Sequence, residues 1–225
     1  KQAETLEAHL ALQSGKLLTL SEQELVDCTP NPDHCGGTGG CQGSTQELAF
    51  DFVARTGITT ESSYPYTGST TFPKCQNSKI QPVANITGYV TLPTNNYTAL
   101  MNAVANIGPI AISADAGMWQ FYHSGVLSSS CGWDINHAIV LEGYGTDSAT
   151  GLDYWLVRNS WGKGWGESGY IRVARYGQAP SGEPCGIDTT PEHGYSCDGG
   201  PSSIKVCGLC GILSDSSYPV GVKLL

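Results

Sequence analysis

Residues 28–43 read CTPNPDHCGGTGGCQG, with three cysteines, two prolines and five glycines in sixteen positions. Proline removes a backbone donor and glycine gives up the most entropy on ordering, so a run this dense in both makes neither a helix nor a strand. It must be a loop, and a stapled one. Residues 177–210 have the same Gly, Pro and Cys texture. Nine cysteines are many for a cytosolic chain of this size, and the odd number leaves at least one without an internal partner. Two sequons, Asn85-Ile86-Thr87 and Asn96-Tyr97-Thr98, could accept glycans. Together with the cysteines they point to a glycoprotein with disulfide bonds in a lysosomal, vacuolar or secreted setting.

Outside these two loops the pattern is regular. Ala3, Leu6 and Leu10 share a helical face over residues 1–14, and Gly15 stops it. SEQEL places Ser21 as a cap, with Glu24 able to reach back; STQELAFDFVARTG repeats the device with Ser44 and Glu47 and ends at Gly57. A short helix is predicted over 97–107. Then the texture changes to strands: PIAISAD, HAIVLEGYG, YWLVRNSWG and GYIRVARY. Helices first and strands later predict an α+β protein in two lobes. A chain of 225 residues, 40% of them apolar, is long enough for that core. Its net charge of −9 argues against nucleic-acid and anionic-membrane partners, and no run of 18 apolar residues exists to span a bilayer. Lys1 is not an initiator Met and lies inside a helical pattern, so the chain reads as part of a longer one.

His137 heads the apolar run HAIVLEGYG, and RNSWGKGWGESGYIRV places Asn159 beside Trp161 on a strand of the same lobe. A lone His at a strand start is usually structural. An Asn whose side-chain oxygen accepts the imidazole N–H would instead fix its tautomer, and an indole beside it would keep water off that bond.

These segments, with GKLLTLSEQELVDC, GCQGS, ESSYPYTG, GPIAISADAG and CGILSDSSYPV in the same order, closely resemble the papain-like cysteine proteases, the cathepsin L-like branch in particular. The resemblance covers nearly the whole chain and departs mainly at 177–207, where an insertion carries extra cysteines. It implies a two-lobed papain-like fold, with a mainly helical lobe over 1–88 and a mainly antiparallel, β-barrel-like lobe over 89–225, and the active-site cleft between them. It implies a cysteine endopeptidase that needs no cofactor and acts on peptide or protein substrates as a monomer. His137 would be the base and acid paired with a thiolate, Asn159 its orienter, and Trp161 the shield on the leaving-group side. In such a pair each charge stabilises the other and the thiol pKa falls to roughly 3–4.

The resemblance also marks a gap. The family's Cys-Gly-Ser-Cys-Trp-Ala-Phe segment is not in this chain, and aligning ETLEAHLALQSGKL with the family's helix puts the nucleophile about four residues before Lys1. The oxyanion-binding Gln falls upstream as well. The chain by itself is therefore expected to be an inactive and unstable fragment, truncated at its amino end. By resemblance Cys28 would pair with Cys75 and Cys131 with Cys210. Cys41 would be free or caught by Cys35, and the partners of Cys185, Cys197 and Cys207 stay open. Gly43 and Ser44 match the pair whose backbone meets an extended substrate. Thr45, Gln46, Ser113, Ala138 and Asp215 match the pocket for the second residue before the cut. CGLC at 207–210, with Cys185, Cys197 and His193, has zinc-ligand types, but the irregular spacing and oxidising setting argue for no metal. Two other readings are a non-catalytic papain-like peptide-binding protein and a cysteine-rich storage protein.

Overall fold

Among the described residues four α-helices form for reasons local to their sequence, and each ends where a cap or glycine dictates. In the computed structural model, which describes residues 2–177 and 182–225, α1 (Gln2–Ser14) buries Ala3, Leu6 and Leu10 as one stripe and stops at Gly15, whose φ of 71° only glycine adopts cheaply. Ser21 caps α2 (Glu22–Cys28) by accepting the Glu24 N–H at 2.9 Å. The reciprocal half of the expected capping box does not form. The Glu24 carboxylate instead takes the Thr59 N–H at 2.8 Å, because the chain returns there to pair Leu20 with Thr60. At α3 (Gln46–Thr56) the cap is Thr45, not Ser44 as expected, since the helix begins one residue later. Asn96 caps α4 (Tyr97–Asn106).

The strands are β1 (Ala84–Asn85), β2 (Gly88–Thr91), β3 (Ile110–Ala114), β4 (Val126–Leu127), β5 (His137–Thr146), β6 (Asp153–Arg158), β7 (Tyr170–Ala174), β8 (Cys185–Asp188), β9 (Ile204–Cys207), β10 (Ser216–Val220) and β11 (Lys223–Leu224). The described residues divide into two units. Unit 1 comprises residues 2–91, 192–200 and 217–225, so the chain comes back to it twice. The returns are held by β1 pairing with β11, β2 with β10, and a disulfide from Cys35 to Cys197. Its helices pack through Leu6, Leu10, Phe50 and Val53, all buried. A second disulfide, Cys28–Cys75, ties the end of α2 to the long loop 61–83.

That loop is organised by one buried carboxylate. Asp27 accepts hydrogen bonds from Tyr64 Oη, Gln23 Nε2, Thr70 Oγ1 and the Thr71 N–H, all within 3.1 Å. Burial pushes its pKa up, but these donors together outweigh burial and hold it below the ordinary value. Glu24, also buried, has fewer donors, and there burial wins and raises the pKa.

Unit 2, residues 92–191 and 201–216, is built on strands in the order β3-β5-β6-β7-β4. Every residue of β3 is buried, and so is Trp155 of β6. The pairs β3–β5, β5–β6 and β6–β7 are antiparallel, as expected, but β4 runs parallel to β7. Among the described residues the strand order is linear, with no closed barrel. In the 177–210 stretch, read from sequence only as loop, β8 and β9 form an antiparallel hairpin bridged at its base by Cys185–Cys207. Gly186 of that hairpin lies flat against Trp133, where a Cβ would fall 2.3 Å from the indole. Residues 178–181 of the stretch, like Lys1, lie outside the described residues.

The two carboxylates of unit 1 give opposite pH signatures. Asp27 contributes stability above the unfolded-state pKa of about 3.9, and this is lost as pH falls through its lowered folded value. Glu24 favours the folded state below about pH 4.3 and loses that contribution as pH rises through its raised value. We expect Asp27→Ala to lower unfolding free energy by on the order of 3 kcal/mol at neutral pH, because several buried donors lose their acceptor. Glu24→Gln should flatten the fall in stability between pH 4 and 7. Urea melts across that range check both.

Candidate active site

β3 and β5 pair so that Ala114 lies opposite His137 and Ser113 opposite Ala138. β5 then pairs with β6, and the chain leaving β6 at Arg158 places Asn159 directly after it. Sheet register thus brings the ring of His137 to the side chain of Asn159. His137 Nε2 lies 2.9 Å from Asn159 Oδ1, an atom that can only accept, so Nε2 carries the hydrogen and donates. In the neutral imidazole the lone pair is then on Nδ1. Asn159 is buried, and its Oδ1 also accepts the Ser160 N–H at 2.8 Å.

Aromatic rings surround this pair. Trp161 stands 5.2 Å from the His137 ring, and Trp119, fully buried, presents an edge to it at 6.3 Å. Trp165 braces both, 5.1 Å from Trp161 and 6.5 Å from Trp119, and donates its Nε1–H to the Trp119 carbonyl at 3.0 Å. Trp119 was missed from sequence, although its setting in GMWQFY, next to a predicted strand, was an available signal. Trp161 keeps 40% exposure, so one face of the enclosure is open.

The loop after Asn159 is clamped by Arg172 of β7. Its guanidinium grips Glu167 through two bonds of 2.7 Å and also binds Asp147. Asp147 in turn accepts from Thr150 and Ala149 within the hairpin loop 147–152. Arg172, then Thr150 and Ala149, hold the Asp147 carboxyl at about 2, and Arg172 also lowers Glu167. Both groups favour folding above their ordinary values, and the contribution disappears only as pH falls toward the lowered ones. The clamp therefore stays charged in a mildly acidic compartment.

The remaining sequence-derived positions fall in two groups. In unit 2, Ser113 Oγ donates to Asp215 Oδ2 at 2.7 Å and the Ser113 N–H to the Asp215 carbonyl at 3.0 Å, with Ala138 across the ladder from Ser113. Ser113 and Asp215 are both buried. In unit 1, Gly43 and Ser44 precede the cap Thr45, and Gln46 begins α3 fully buried. Eight cysteines are in disulfides: Cys28–Cys75, Cys35–Cys197, Cys131–Cys210 and Cys185–Cys207. Among the described residues Cys41 is the free one, and it is exposed. Both thiols of CGLC are therefore oxidised, each to a different partner, and are not metal ligands.

Residues 2–195 match the family described as papain family cysteine protease. The chain belongs to that family. It is 39% identical over 213 residues to cysteine endopeptidase Rep1 of Oryza sativa subsp. japonica, covering 93% of this chain and 48% of that protein. With the KDEL-tailed cysteine endopeptidase CEP2 of Arabidopsis thaliana it shares 45% identity over 180 residues, 78% of this chain and 47% of the relative. The chain thus spans about half the length of the relatives it matches. Among solved structures it resembles bromelain of Ananas comosus bound to the E64 inhibitor, with a TM-score of 0.74, 35% identity, and coverage of 97% of this chain and 86% of that one. Digestive procathepsin L 3 of Tenebrio molitor gives a TM-score of 0.71 at 33% identity, covering 97% and 62%. The two-lobed papain-like α+β fold implied by the sequence is thereby established.

The geometry predicts a single histidine tautomer. In nitrogen NMR of ring-labelled protein above the histidine pKa, His137 should be the Nε2–H form. Asn159→Ala should let the Nδ1–H form appear. Mixed tautomers in the unsubstituted protein would contradict the assigned bond.

Proposed function

We propose that this chain forms the peptidase domain of a cysteine endopeptidase, with His137 as general base and acid and Asn159 as its orienter. The observation that carries the reading is the Nε2-to-Asn159 hydrogen bond inside an aromatic enclosure open on one side. It directs the Nδ1 lone pair of His137 toward the work of taking a thiol proton. The thiolate attacks the scissile carbonyl and His137 returns the proton to the leaving amine. Water then resolves the thioester with the same ring as base. Trp161 keeps water from the His–Asn bond, where low dielectric strengthens it. The eight disulfide-bonded cysteines cannot supply the thiolate, so it comes from another cysteine.

Gly43 and Ser44 are assigned to the backbone edge that an extended peptide meets, and Thr45, Gln46, Ser113, Ala138 and Asp215 to the pocket for the second residue before the cut. The protein is expected to act as a monomer in a lysosomal, vacuolar or secreted compartment, a reading supported by its four disulfides. No helix among the described residues is long and apolar enough to cross a membrane.

The decisive experiment uses the natural protein with its native flanking sequence. It should form a covalent adduct with a thiol-directed epoxide at pH 5–6, and His137→Ala should reduce kcat/KM by a factor of at least about 1,000. Mass mapping of the adduct locates the nucleophile, at Cys41 or at a cysteine outside residues 1–225. Peptide binding without adduct or turnover would favour a non-catalytic peptide-binding protein.

The carboxylate of Asp215 beside Ser113 suits an Arg side chain at the second position before the cut as well as Leu or Phe. Asp215→Ala should lower the Arg-to-Leu ratio of kcat/KM by about tenfold. An unchanged ratio excludes Asp215 from selecting Arg.

A further inference from the structure

Residues 192–200 belong to unit 1, although β8 and β9, which flank them in sequence, belong to unit 2. Within unit 1 this strap is fastened to the loop 33–36. Cys197 is disulfide-bonded to Cys35. The Gly36 N–H donates to the Ser196 carbonyl at 3.0 Å, and the Asp198 N–H to the Asp33 carbonyl at 2.9 Å. The His34 ring meets the Asp198 carboxylate at 2.8 Å. The contact is backbone on backbone, since a Cβ on Gly36 would lie 2.5 Å from the Gly194 carbonyl oxygen.

The same loop packs equally closely onto the residues assigned to substrate pairing. A Cβ on Gly43 would lie 2.2 Å from the Gly36 carbonyl oxygen, and one on Gly37 would lie 2.1 Å from that of Gln42. The Gly39 N–H donates to the Gly43 carbonyl at 2.8 Å. Asn31 holds the loop in place, with its Nδ2 donating to the Cys35 and Gly37 carbonyls at 3.0 and 2.8 Å. Three backbone layers therefore stack in direct contact: residues 194–196, residues 36–37, and residues 42–43. The outer layer thus bears on Gly43 through a single intervening layer.

We propose that the strap 192–200 is a positioning element for the Gly43–Ser44 edge, held in place by the Cys35–Cys197 bond. With Gly43 in it, this edge has little stiffness of its own, and any freedom it keeps must be given up when an extended peptide binds. The strap removes that freedom beforehand. It therefore acts on substrates long enough to reach the edge and not on those that occupy only the position next to the cut. The inference rests on the endopeptidase reading of the site.

The test compares the natural protein with a Cys35→Ser/Cys197→Ser double variant, which adds no free thiol. Two substrates are used: a peptide extending at least three residues before the cut, and a single-residue ester. Expected for the double variant is a rise of about tenfold in KM for the peptide, with its kcat and the ester kcat/KM within about twofold. Equal losses on both substrates, or no change in either, overturn the proposal. If the double variant fails to fold, Gly36→Ala, which keeps the disulfide but displaces the Gly194 carbonyl, carries the same expectation. In a His137→Ala background the affinity for a fluorescent hexapeptide should fall by the same factor. That ratio decides the proposal even if the natural protein hydrolyses neither substrate, which would overturn only the endopeptidase reading. An absence of any peptide binding overturns both.

Discussion

The hydrogen bond from the His137 imidazole to the Asn159 carboxamide is the interaction that the architecture of unit 2 serves. It selects one tautomer and therefore leaves the ring lone pair on Nδ1. It forms only because β5 lies between β3 and β6 with the observed register, which brings the first residue of β5 to the residue just beyond β6. A one-residue slip of the β5–β6 pair would turn one of the two side chains to the opposite face. Trp119, Trp161 and Trp165 then enclose the bond, and the Arg172 clamp holds the loop that carries Asn159 and Trp161.

Unit 1 solves a different problem. Much of it is loop, and loops supply few backbone hydrogen bonds of their own. Three devices replace them. Asp27 gathers donors from residues up to Thr71, Cys28–Cys75 and Cys35–Cys197 cross-link distant segments, and glycines let backbones meet at distances no Cβ would allow. The carboxylates follow the same logic in opposite directions. Where donors converge, as at Asp27 and at Asp147 beside Arg172, the charged form is favoured. Where burial dominates, as at Glu24, the pKa is raised.

Helix positions were legible because their signals are local. The stripe Ala3, Leu6, Leu10, the stop at Gly15 and the cap at Ser21 each depend on residues within one or two turns. Signals requiring a partner chosen elsewhere were misread. Glu24 goes to Thr59 and not to its own helix, and β4 runs parallel to β7. The hairpin of β8 and β9 escaped notice because four-residue strands separated by a long loop leave no periodicity to detect.

The sequence by itself determined the family, the α+β class and the identity of His137 and Asn159 as the pair to watch, because ordered motifs survive without knowledge of distance. It also showed that one cysteine would lack an internal partner, since nine is odd. Only the tertiary structure decided which one. Cys35 bonds Cys197 across 162 residues of sequence and leaves Cys41 free and exposed. It likewise decided that the strap 192–200 lies against Gly36 and, through it, against Gly43. Close approach of glycine backbones depends on where two distant segments meet, and no pattern within either segment encodes that meeting.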